Sequence, residues 1–93
     1  MNQLSRKPGQ PEGIEQLKKK FIVRLEASMT ATAEALGIAV DAPRVRIYAH
    51  DLYGRIPADQ LPAVFEQWRL GNPRFPTVSD LVKTYYKMRG YTV

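Results

Sequence analysis

From Gly13 onward, apolar residues recur at steps of three and four: Ile14, Leu17, Phe21, Leu25, Met29, Ala33 and Leu36, with Gly37 directly after. That spacing is the inward stripe of an amphipathic helix, and glycine is the residue that most readily closes one. It predicts one long first helix. The run Ile38-Ala39-Val40 has no helical period and is expected to tuck beneath this helix as a connector. Asp41 then stands where an N-cap belongs, with Pro43 in the first turn, where its missing amide hydrogen costs nothing. The second helix so opened carries Val45, Tyr48, Ala49 and Leu52 inward and ends at Gly54.

Arg55-Ile56-Pro57 turns the chain into a third helix, Ala58 to Leu70, whose Leu61, Val64, Phe65 and Trp68 share one face. An interior proline would break the hydrogen-bond ladder, so Pro62 places the start of this helix at about Ala58 or Asp59. Gly71-Asn72-Pro73 interrupts it. Phe75-Pro76 closes an extended segment, because the residue before a proline is driven out of the helical region. Thr77, with Asp80 three residues on, reads as the capping pair of a fourth helix. In that helix Val78, Leu81, Val82 and Tyr85 point inward, while Lys83, Lys87 and Arg89 sit toward the end that favours cations, before Gly90. Only Arg44 to Tyr48 alternates like a strand, and Asp41 with Pro43 in front of it fits a helix start better. The pattern therefore predicts an all-α bundle of four helices in a single domain, residues 13–93, behind a flexible basic arm, residues 1–12.

Composition changes this picture little. The chain has 93 residues, 44% of them hydrophobic and 25% charged, which is the balance of one small folded domain. There is no cysteine, which excludes disulfides, thiolate metal sites and a cysteine nucleophile and fits an intracellular, cytoplasmic protein. No stretch approaches the roughly 18 apolar residues of a membrane span, and no apolar run follows the first charges, so neither secretion nor membrane insertion is expected.

Charge does add something. Fourteen Lys and Arg against nine Asp and Glu leave a net charge of +5, which attracts polyanions at long range. Lys18, Lys19, Lys20 and Arg24 cover about two turns of the first helix, and Arg44, Arg46 and Arg55 cluster around the second. These seven are candidate phosphate contacts for nucleic acid, with Tyr53, Tyr86 and Tyr91 as stacking partners if exposed nearby. The plain alternative is a solvated basic face. Ile22, Val23, Ile47, Tyr86 and Met88 fall off the inward stripes and are candidate docking residues for another protein or a second copy of the chain.

Catalysis finds no support. The single histidine, His50, has Asp51 beside it, but adjacent helical residues do not face each other, and a structural or solvated role is expected. No zinc-ligand spacing, Gly-rich phosphate loop or Ser-His-Asp set occurs, so no enzyme activity and no cofactor or metal is expected.

From Val45 to Tyr85 the order of features resembles a small helical module of phage and prophage replication proteins, including the N-terminal parts of some helicase loaders. The residues that carry the resemblance are Tyr48-Ala49 and Leu52, Ile56-Pro57-Ala58-Asp59-Gln60-Leu61, Val64-Phe65-Glu66-Gln67-Trp68 and Arg74-Phe75-Pro76-Thr77-Val78-Ser79-Asp80-Leu81. The Phe-Pro-Thr step between two helices is its most recognisable part. The resemblance implies a phage-related setting and a protein that acts by contacting replication machinery or DNA; joined to the lack of a catalytic set, the expected function is a non-enzymatic binding module working through protein contacts in DNA replication or in control of a host system, with direct nucleic-acid binding as the alternative. No ATPase segment follows the module here, so loading itself is not implied, and the long basic first helix has no counterpart in the resemblance.

Overall fold

A computed structural model of the chain describes residues 12–90. Four α-helices follow one another: α1 (Glu12–Leu36), α2 (Ala42–Leu52), α3 (Leu61–Gly71) and α4 (Val78–Met88), with a 3₁₀ turn at Ala58–Gln60 and no strand among the described residues. The expected all-α bundle is what the chain forms. The flexible arm lies outside the described residues except for Glu12, which already belongs to α1, and the tail from Tyr91 to Val93 lies outside them too.

The starts and stops follow the local chemistry. The Asp41 carboxylate accepts from the Arg44 amide at 3.0 Å, so α2 begins where its cap allows. Gly37 ends α1 with φ at 74°, a backbone conformation that glycine adopts without the Cβ clash other residues meet. The third helix starts later than its apolar pattern suggests. Residues 58–60 wind as 3₁₀ and α3 proper begins at Leu61, which puts Pro62 in its first turn, where no amide hydrogen is needed. At its far end the Asn72 side chain donates to the Trp68 carbonyl at 3.1 Å.

The core is built from Phe21, Leu25 and Met29 of α1, Val45, Ala49 and Leu52 of α2, Ile56, the α3 residues Leu61, Val64 and Phe65, and Leu81 and Tyr85 of α4. Ala33 and Trp68 are buried as well. α1 lies against α2 and α3, and α4 lies against α2 and α3, while its backbone stays more than 8 Å from that of α1, Cα to Cα. The inward stripe of α1 is therefore only partly covered. At 1.5 Å per residue α1 is about 37 Å long and the other helices about 16 Å each, so its first two turns run past the core. Ile14 and Leu17, placed inward by their spacing, are 54% and 57% exposed. The connector also divides: Val40 packs on the core, whereas Ile38 is exposed.

Between α3 and α4 the chain is held from three sides. Trp68 Nε1 donates to the Arg74 carbonyl at 2.8 Å, and the Arg74 guanidinium lies 4.9 Å from the indole centroid. The Tyr48 hydroxyl donates to the Pro76 carbonyl at 2.8 Å. Burial pushes the Tyr48 phenol up, with Asp80 adding to the rise and Arg44 opposing it, so the hydroxyl keeps its proton and donates. Phe75 is half-buried between the Tyr48 ring, 6.1 Å away, and the Arg44 guanidinium, 5.8 Å away.

The capping pair forms in full. Asp80 N donates to the Thr77 hydroxyl at 3.1 Å, Asp80 Oδ2 accepts from Thr77 N at 2.9 Å, and Arg74 Nη1 reaches the same oxygen at 2.8 Å. Burial alone would raise the Asp80 carboxyl, but the bonds from Arg74 and Thr77 outweigh it and hold it below the usual aspartate range. A carboxyl lowered by folding stabilises the native state above its unfolded pKa, and that contribution fades as pH falls through the folded value. Asp80→Ala is therefore expected to cost about 1 to 2 kcal/mol at neutral pH. In urea titrations the gap between variant and wild type should narrow below about pH 4; a gap constant down to strong acid would count against the carboxylate as its source.

Candidate functional site

The candidate cations do not gather on one face. Consecutive helical residues project about 100° apart, so Lys18, Lys19 and Lys20 cannot share a direction. Lys18 lines a groove between α1 and α2 together with Phe21, Ile22, Arg46, Ala49, His50 and Tyr53. Lys19 and Lys20 are exposed outside it. Arg24 lines a different groove, between α1 and α3, with Ser28, Phe65 and Arg69. Arg44 lies over the Phe75 ring, and Arg55 lines a wider cleft of about 650 Å³ between the first turns of α1, the turn after α2 and the end of α4. Of the seven, Lys18 and Arg46 share one groove and Arg55 lines the neighbouring cleft.

The docking candidates divide in the same way, though all five side chains are exposed. Ile22 lies in the α1–α2 groove, and Ile47 lies beside it on a shelf with Pro43, Arg46, His50 and Asp51. Tyr86 lines the α1–α4 cleft, Met88 a groove between α3 and α4 with Trp68 and Leu70, and Val23 the outer side of α1.

Two cavities thus open back to back at the end where α1 outruns its neighbours. Phe21 and Tyr53 line both. Their rings meet edge to face, 5.3 Å between centroids at 87°, and Lys18 Nζ lies 5.8 Å from the Tyr53 centroid. Phe21 is buried and Tyr53 exposed, so the pair forms a partition with one wet edge. The reason for the cleft is topological: the α4 backbone stays back from that of α1, and the turn through Gly54 to Ala58, with buried Ile56, forms the floor between them.

Leu17 belongs to this surface although its spacing assigns it to the core. Its signal in the sequence was one of length: a 25-residue stripe cannot be covered by 11-residue partners. Arg69 was not among the sequence candidates. It donates from Nη1 to the buried Thr32 hydroxyl at 2.8 Å, tying α3 to α1, and its role is structural. His50 sits at the surface with Nδ1 3.2 Å from Asp51 Oδ1, and no group of three or more metal-ligating side chains forms among the described residues. No helix of the described residues is long and apolar enough to cross a membrane.

The arrangement is that of an all-α domain with open apolar grooves and cations at their edges. No known family model, curated protein or solved structure matches the chain.

Proposed function

We propose that the chain is a non-enzymatic binding module of phage or prophage type, acting through protein contacts in DNA replication or in the control of a host system. The observation that carries this reading is the apolar surface left uncovered at the open end of the bundle, where Leu17, Ile22 and Tyr53 stand exposed around buried Phe21. Exposed apolar side chains drawn together at a groove are what a partner buries. The resemblance of residues 45–85 to phage replication modules supplies the setting.

A second reading has its own support. Lys18 lies over the exposed Tyr53 ring, Arg46 lines the same groove and Arg55 the cleft on the other side of that ring, and a stacked base with flanking phosphates uses an aromatic residue with cations nearby. One pair of experiments separates the two. Photo-crosslinking residues placed at positions 17, 22, 47 and 88 of the full chain in the source cell should trap a replication or host protein. Polarisation with single- and double-stranded DNA should show no binding at low salt. DNA binding that falls steeply with salt and is lost when Lys18, Lys19 and Lys20 become Glu, with no protein trapped, would overturn the first reading in favour of the second.

A further inference from the structure

The two cavities at the open end are apolar and one-sided in charge. Among the described residues no carboxylate lines either one, whereas Lys18 and Arg46 line the α1–α2 groove and Arg55 the α1–α4 cleft. Through Arg46 and His50 the groove passes onto the shelf at Pro43 and Ile47, whose one lining carboxylate, Asp51, has its Oδ1 3.2 Å from His50 Nδ1. Its volume of about 270 Å³ has room for one or two apolar side chains, not for a whole folded element. This is an anchor pocket with a cationic edge, continuous with a second apolar foothold on the next turn of α2.

We infer that the α1–α2 groove takes an acidic amphipathic helix of a partner protein, its apolar anchors on Ile22, Ala49 and Ile47 and its carboxylates facing Lys18 and Arg46. The inference rests on the protein-contact reading and names the chemistry of the partner. Charge complementarity selects the occupant. A second copy docked through the same groove brings a net charge of +5 and its own Lys18 and Arg46 to the same edge, and like charges brought together at an interface oppose association. The chain's own first eleven residues carry Arg6 and Lys7 and no carboxylate, so they do not supply the acidic partner. A nucleic-acid strand would satisfy the cations but leave Ile22 and Ile47 without apolar cover.

The test pans the immobilised full chain against a display library of random peptides about 16 residues long, roughly four helical turns. Selected sequences should be rich in Asp and Glu, with Leu or Phe at steps of three and four. A synthetic peptide of the selected sequence should bind more weakly as salt rises, and lose at least about tenfold in affinity with Arg46→Glu and again with Lys18→Glu. Both side chains are exposed, and unchanged melting curves would show the variants folded. Amide shifts in nuclear magnetic resonance spectra should centre on Ile22, Arg46, Ala49 and His50. Selected peptides without acidic bias, acidic peptides indifferent to Arg46→Glu, or displacement of the peptide from the same residues by an oligothymidine would each overturn the inference. If photo-crosslinking traps a protein while panning returns no acidic peptides, the protein-contact reading survives and this one does not. DNA binding with no protein trapped removes both.

Discussion

Replacing Trp68 with alanine is expected to destabilise the domain by about 3 to 5 kcal/mol, a large share of the total stability of so small a chain. The indole is 8% exposed on the core-facing side of α3, and its N–H donates to the Arg74 carbonyl across the Asn72–Arg74 break. Truncation empties the space the ring fills and frees the segment that aligns Thr77 for its cap. At about 4 to 8 °C per kcal/mol for a domain of this size, the melting temperature should fall by at least about 12 °C. Trp68→Phe keeps most of the volume and loses the hydrogen bond, so its cost should be about 1 to 2 kcal/mol. Phe75, half-buried, should cost less than Trp68 when truncated. A Trp68→Ala melting curve within a few degrees of wild type would show that the ring does not hold the α3–α4 joint.

The second large effect is a contrast along one stripe. Leu25 is fully buried, and Leu25→Ala should cost about 2 to 5 kcal/mol; Leu17, two turns earlier on the same stripe, should change stability by no more than about 0.5 kcal/mol when truncated. Chemical denaturation of the two variants side by side measures where the core ends. Equal losses would mean that Leu17 is covered in solution, and would remove it from the candidate docking surface. A silent Leu17→Ala that nevertheless abolishes photo-crosslinking from position 22 would tie that side chain to partner contact.

Local signals were legible because they act over one turn. Asp41 with Pro43, Thr77 with Asp80, and the glycines at 37, 54 and 90 mark helix ends in the sequence, and the structure uses each of them. The α3 face of Leu61, Val64, Phe65 and Trp68 was equally plain, and all four side chains are buried. What failed were the inferences that needed a neighbour. Ile14 and Leu17 have the right period and no helix opposite them, while Ile38 is apolar but lies where the connector leaves the bundle. The 3₁₀ turn before α3 was hidden because both windings accept Ala58-Asp59-Gln60, and only Pro62 settles where the α-helix starts.

The candidate site was half legible. Lys18, Arg46, Ile22 and Ile47 were identifiable as charged or apolar residues off the inward stripes, but nothing in their order along the chain says that the first three share a groove with Ile47 on the shelf beside it. Arg24 and Arg44, no different in type, went to other surfaces through the packing of α3 on α1 and of Phe75 on α2.

The sequence by itself determined four helices, their caps and the faces they bury, because hydrophobic period and capping are properties of a helix and its own ends. The tertiary structure alone decided where the core stops and what is left open. α1 is more than twice the length of each helix packed beside it, and the α4 backbone packs against α2 and α3 while staying back from that of α1. The gap between them, floored by Ile56 and walled off from the α1–α2 groove by Phe21 and Tyr53, is a consequence of unequal lengths and of topology, neither of which any short stretch of residues encodes.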